Sequence, residues 1–155
     1  MREVHVPRAE LDPLAPMPVL FDALVAEDEG TCVFVKTLTL DDPGVALQRT
    51  SPRWPHHLPG ELVIGLTGQA ACIALRRLGL IDAGWRGHGV RIVDARFPAP
   101  VLLGEQFYTR VEILRTRRLR GSLHVRLRYR MWKHDADGAE IETFHSQQDA
   151  IFFPG

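Results

Sequence analysis

Cysteine is nearly absent from this chain: Cys32 and Cys72 are the whole complement among 155 residues, they stand 40 positions apart, and no CxxC spacing occurs. A disulfide-stapled secreted module and a zinc ribbon are therefore not expected, and such sparing use suits a reducing cytoplasm. Long apolar runs are missing too. The opening segment MREVHVPRAELDPLAPMPVL has no continuous apolar stretch of signal-peptide length, and no window approaches the roughly 18 uncharged apolar residues of a bilayer span. Neither sign of charge is in excess, since 19 basic side chains face 19 acidic ones, which removes the bulk electrostatic argument for nucleic-acid binding. No Gly-rich phosphate loop, Ser-centred nucleophile elbow or Cys-His nucleophile pattern is present, so covalent hydrolase chemistry is disfavoured. No metal site is expected either: His56 and His57 are too tightly spaced to ligate together, and the other five histidines form no cluster.

What remains is an ordinary globular composition, 45% hydrophobic and 25% charged. A chain of this length can bury roughly two thirds of its unfolded surface, enough for one core without staples. With no internal repeat and no long Gly/Ser linker, residues 1–155 read as a single domain.

The order of elements follows from breakers and periodicity. Pro7, Pro13, Pro16 and Pro18 keep the N-terminal segment out of a regular helix until about Val19, where a short helix and an extended lead-in both remain open. Thr31–Leu40 (TCVFVKTLTL) is rich in β-branched and aromatic residues and alternates as a strand, with the acidic turn Glu27–Gly30 before it. The four prolines of Asp41–Pro59 predict an irregular loop. From Glu61 to Leu78 the sequence is apolar nearly all round, carries Glu61 in its first turn and Arg76 and Arg77 at its end, and stops at Gly79. This is the pattern of a buried helix matched to its dipole.

Four strands are predicted after it: Val90–Phe97, Glu105–Thr116, Ser122–Trp132 and Glu140–Phe153. Hairpins at Arg120-Gly121 and across Asp135–Gly138 make neighbours of them antiparallel. In the third, Leu123, Val125, Leu127, Tyr129 and Met131 alternate with a charged face bearing Arg126, Arg128 and Arg130. The expected fold class is α+β, a long central helix wrapped by an antiparallel sheet.

Three blocks, PMPVLFDALVAEDEGTCVFVKTLTLDD, GELVIGLTGQAACIA behind a His- and Pro-Gly-containing loop, and VDARFPAPVLLGEQF, occur in this order. In these the chain resembles the hot-dog fold superfamily. It is most similar to the beta-hydroxyacyl-ACP dehydratases of fatty-acid synthesis, and also resembles hot-dog acyl thioesterases. The resemblance covers nearly the whole chain. It implies action on an acyl thioester carried by acyl-carrier protein or coenzyme A, in fatty-acid or polyketide metabolism. No cofactor is needed beyond the pantetheine carrier of the substrate. A homodimer joined edge to edge, with the site at its interface, is also implied. Gly60 and the next amides would polarise the thioester carbonyl, as unpaired amides of a first helical turn can.

One departure bears on mechanism. In the dehydratases the helix carboxylate lies five residues after the helix-starting glycine, and here that position is Gly65. Glu61, four residues earlier, projects from the same helix face one turn nearer the N-terminus. His57, or in second place His56, is then the candidate base, with Glu61 as acid or water-orienting group and Thr67 and Gln69 as polar neighbours of the acyl carbonyl. An imidazole facing a carboxylate suits loss of an α proton with protonation of the leaving hydroxyl, and equally the activation of water. Glu61 can also be a plain first-turn residue of the helix dipole. Arg126, Arg128 and Arg130 are candidates for the carrier's acidic surface or the coenzyme A phosphates, against the alternative of a solvated outer face. Three readings stand: a hydroxyacyl dehydratase, an acyl thioesterase, and a non-catalytic acyl-binding partner in a hot-dog heterodimer.

Overall fold

The computed structural model describes all 155 residues. One seven-stranded sheet holds the chain, built from β1 (Arg2–Pro7), β2 (Ala23–Glu27), β3 (Thr31–Thr37), β4 (Arg86–Arg96), β5 (Gln106–Leu119), β6 (Ser122–His134) and β7 (Glu140–Phe153). Their spatial order is β1-β2-β3-β5-β6-β7-β4 with antiparallel pairing throughout. A one-turn helix, α1 (Arg8–Leu11), and a 3-10 turn over Asp12–Leu14 follow β1, and the long helix α2 (Gly60–Arg77) lies between β3 and β4. This is the hot-dog arrangement that the resemblance implies.

Residues toward the middle of α2 bury Leu66, Ala70, Ile73 and Leu75 in one cluster with Phe34, Phe107, Tyr129 and Phe144 of the sheet. Each fully buried large apolar side chain contributes about 1.5–3 kcal/mol. The predicted alternation of β6 holds, with Leu123, Val125, Leu127, Tyr129 and Met131 all buried. The helix ends as its sequence indicates. Gly79 takes φ +68°, and the amides of Gly79 and Leu80 bond the carbonyls of Arg76 and Leu75 at 3.0 and 2.9 Å, closing the last turn through a left-handed glycine.

Ahead of Val19 the chain does form helical turns, α1 and the 3-10 turn, with Pro13 at a first-turn position where its missing amide costs no bond, whereas from Val19 on it is extended. Residues 23–27 pair with both β1 and β3, so no helix begins near Val19. The β3 strand stops at Thr37, three residues short of the expected Leu40, because Asp42 caps a turn by accepting the Thr39 amide at 2.8 Å.

An ionic cluster ties this half of the sheet to the end of α2. Glu27, 8% exposed, accepts from Arg77 at 2.7 and 2.9 Å and from Arg2 at 2.6 Å. Hydrogen bonding from Arg77 holds its carboxyl below the usual range, against the opposing effect of burial. The contribution is present above the unfolded-state value of about 4.5 and is lost as pH falls through the lower folded value. Glu27→Gln should therefore cost stability at pH 7 and flatten the acid limb of a urea-midpoint profile between pH 6 and 3. An unchanged limb would assign the acid sensitivity elsewhere.

The edge strand β4 differs from the others. All eleven of its residues are exposed, although Val90, Ile92 and Val93 have strand-core composition. Val90 and Val93 are the extra residues of two bulges against β7. The apolar residues Val90, Ile92 and Val93 of β4 are interleaved with the charged Arg91 and Asp94.

Candidate functional site

The loop ahead of α2 is held in place by main-chain pairing. The Leu58 amide bonds Val101 O at 2.8 Å and the Leu103 amide bonds His56 O at 3.1 Å, so residues 56–58 run antiparallel to 101–103 with His57 opposite Leu102. Glu105 fixes the second segment, accepting from the Leu102 amide at 2.7 Å and from Lys133 at 2.6 Å. The His57 amide is tied to Gln48 Oε1 at 3.0 Å.

This pairing sets the two histidines apart. His56 Nδ1 lies 2.9 Å from Val45 O, and the ring fastens the loop to the buried Val45. His57 Nδ1 lies 3.0 Å from Pro55 O. A carbonyl only accepts, so Nδ1 of the neutral ring carries the proton and Nε2 keeps its lone pair. His57, Gly60, Val63, Phe97, Met131 and Phe144 are among the residues lining a cavity of about 510 Å³, a size typical of small-ligand sites. His56 does not line it. Phe97 packs on Phe144 at a centroid separation of 5.0 Å.

At the rim of this cavity α2 begins with no side-chain cap over Pro59. The first intrahelical bond runs from the Val63 amide to Pro59 O at 3.1 Å. The amides of Gly60, Glu61 and Leu62 are left unpaired at the positive end of an 18-residue helix. Glu61, in this first turn, is exposed, is not among the residues that line the cavity with His57, and makes no ion pair within the chain.

The remaining candidates of α2 lie elsewhere. Gly65, Thr67 and Gln69 line a second cavity of about 270 Å³ between α2 and β4. A Cβ added at Gly65 or Gly68 would meet nothing within 4 Å. Thr67 is 1% exposed and donates to Ile64 O at 2.7 Å. Gln69 uses both ends of its amide: Oε1 accepts from the Leu20 amide and Nε2 donates to Pro18 O, each at 3.0 Å. It brackets the N-terminal segment to the helix. Leu20 O in turn accepts from Lys36 Nζ at 2.8 Å, and Lys36 pairs with Asp42 at 2.6 Å with both side chains almost fully buried. The sequence carried a signal for this pair, since Lys36 falls on the same strand face as Phe34 and Leu38.

The three arginines of β6 are all matched by carboxylates. Arg126 pairs with Asp149 at 2.7 Å, Arg128 with Glu112 at 3.4 Å, and Arg130 with Glu140 and Glu142 at 2.9 and 3.2 Å. Arg115 and Arg117 stand beside Arg126 and Asp149 around a shallow groove of about 290 Å³ and have no ion-pair partner.

Thiol chemistry has no support here. Burial pushes the Cys32 thiol up to about 12 and raises that of Cys72 as well, so neither forms the thiolate that a nucleophile requires. No group of three His, Cys, Asp or Glu side chains is placed to hold a metal, and no helix is long and apolar enough to cross a membrane.

No protein-family model matches the chain. A 3-hydroxyacyl-[acyl-carrier-protein] dehydratase FabZ from Nitrosomonas eutropha is 31% identical over 123 residues, covering 76% of this chain and 74% of that protein. The chain belongs to the FabZ dehydratase family. The counterpart from Nitrosomonas europaea is likewise 31% identical over 123 residues, with 76% and 70% covered. Among solved structures, a thioesterase family protein from Silicibacter pomeroyi superposes with a TM-score of 0.60 at 17% identity, covering 85% of this chain and 84% of that one. The dehydratase heterocomplex ApeI:P from Xenorhabdus doucetiae also gives 0.60, at 15% identity with 94% and 90% covered. These two matches bear on the hot-dog fold alone. Against the FabZ family pattern, the open helix face at Gly65 is where the resemblance places a carboxylate.

Proposed function

We propose that residues 1–155 form one catalytic domain that acts on the acyl thioester of an acyl-carrier protein or coenzyme A, as a 3-hydroxyacyl dehydratase. The observation that carries this reading is the meeting of a carbonyl-oriented imidazole, His57, with Gly60, the uncapped first residue of α2, on one apolar cavity. The thioester carbonyl lies over the amides of Gly60 and its successors, which stabilise the enolate oxygen as charge develops. His57 Nε2 removes the α proton. Glu61 supplies the second group, protonating the β-hydroxyl as the carbon–oxygen bond breaks, so that water leaves and an enoyl thioester remains. Thr67 and Gln69 are positioning residues that act through the helix. The groove of Arg115, Arg117 and Arg126 receives phosphate of the carrier, with Arg128 and Arg130 as a weaker extension. No cofactor takes part. The protein works in the cytoplasm as a homodimer in which the exposed β4 edge is covered by a second copy, or as one half of a hot-dog heterodimer.

A thioesterase reading is favoured by one specific feature, the open space at Gly65 in place of the family's helix carboxylate. The same imidazole would then activate water, and the amides would stabilise a tetrahedral oxyanion. Mass spectrometry of purified protein incubated with 3-hydroxyacyl-, enoyl- and saturated acyl-pantetheine thioesters separates the readings. Loss or gain of one water with the thioester intact is the expected result, with light scattering giving twice the 17.5 kDa chain mass. Release of acid and thiol would establish the thioesterase. Inertness on every substrate, relieved only by a second hot-dog protein, would establish a non-catalytic partner.

A further inference from the structure

Among the residues that line the proposed acyl cavity, Thr143 is the buried one whose polar side-chain atom nothing in the fold uses. β7 pairs with β6 in register until Met131 stands opposite Phe144 and Trp132 opposite Glu142, which leaves Thr143 as the extra residue of a bulge. The bulge breaks the alternation of the strand, so Thr143 and Phe144 are both buried although they are adjacent. Bulges of this kind re-aim a side chain at the expense of ladder hydrogen bonds. Thr143 is 4% exposed, lines the same cavity as His57 and Gly60, and its Oγ1 has no hydrogen-bond partner. A buried hydroxyl without a partner is unfavourable, whereas valine would fill the same space without that cost.

We infer that the Thr143 hydroxyl is a specificity-determining group that hydrogen-bonds an oxygen substituent, hydroxyl or keto, on the acyl chain. This rests on the acyl-thioester reading of the cavity and adds to it a preference for oxygenated over plain alkyl chains. A site whose buried polar atom is satisfied only by an oxygen-bearing ligand disfavours the analogue that lacks it.

Binding of uncleavable amide analogues of acyl-pantetheine tests this without turnover. The probes are the octanoyl, 3-hydroxyoctanoyl and 5-hydroxyoctanoyl compounds, titrated by calorimetry into the wild-type protein, Thr143→Val and Thr143→Ser. The wild type should prefer one hydroxylated analogue over octanoyl by roughly three- to tenfold, the range of one neutral hydrogen bond. Which analogue is preferred locates the oxygen along the chain. Thr143→Val should erase that preference while binding octanoyl as well or better, and Thr143→Ser should retain it. A purely structural role for Thr143 would instead shift all three affinities together and overturn the proposal. Equal binding of all three analogues by the wild type would overturn it while leaving the acyl cavity standing. Failure of the wild type to bind any analogue would overturn the cavity reading as well.

Discussion

Replacing His57 by alanine is expected to lower turnover by about 10²–10⁴-fold, the contribution of a positioned general base, with little change in KM. The fold should survive the substitution. His57 holds its loop through its main chain, by the amide bond to Gln48 and the pairing with Leu102, and the ring gives up only its contact with Pro55 O. Thermal unfolding should therefore stay close to wild type while steady-state rates fall. Imidazole added to the buffer should restore part of the rate, which a structural defect would not permit. His56→Ala is the contrasting variant. Its ring anchors the loop to Val45 and does not line the cavity, so the loss should be smaller and should come with lowered stability. Full activity in His57→Ala would move the base role to Glu61 and leave His57 as a loop residue.

How far this arrangement could be read from the sequence depends on how local each part is. The alternation of β6, the apolar run of α2, its glycine stop and the two late hairpins are set by neighbouring residues, and these elements form where the pattern indicates. Short N-terminal strands were hidden because β1 and β2 are defined by pairing with each other and with β3, and the prolines around them mask any periodicity. At β4 the strand itself is legible, but its place at the sheet edge, with all eleven residues exposed, is not, because that place depends on pairing with β7 alone. Site residues divide in the same way. His57 and Gly60 are singled out by the resemblance to the dehydratase loop and helix start, and both line the cavity. Gln69, by contrast, finds its partners at Pro18 and Leu20, and Arg126 finds Asp149 only through the register of β6 against β7. The bulge that turns Thr143 inward is likewise a property of two strands together.

Lys36→Met is expected to destabilise the protein by about 3–5 kcal/mol, the cost of leaving one member of a buried pair uncompensated. For a chain of this size that corresponds to a fall in Tm of roughly 6–20 °C. Methionine can occupy the space of the lysine stem, so the loss is electrostatic rather than a cavity. The Asp42 carboxylate, 7% exposed, would retain only its bonds from Thr39 at 2.8 and 3.3 Å, and Leu20 O would lose its bond from the ammonium group. Replacing Asp42 as well separates these contributions. In Lys36→Met/Asp42→Asn no buried charge remains, and much of the stability should return, because a buried pair contributes little net stability over a neutral replacement. The residual deficit would measure the Leu20 bond. The consequence for the site follows from connectivity: Lys36 and Gln69 both bond the tripeptide Pro18–Leu20, and Asp42 lies at the start of the loop that carries His57. Loss of the lysine should loosen that loop before the sheet melts, so turnover should decline at temperatures where the circular dichroism of Lys36→Met is still native. Coincident loss of activity and structure would show that the pair stabilises the fold without a separate influence on the loop.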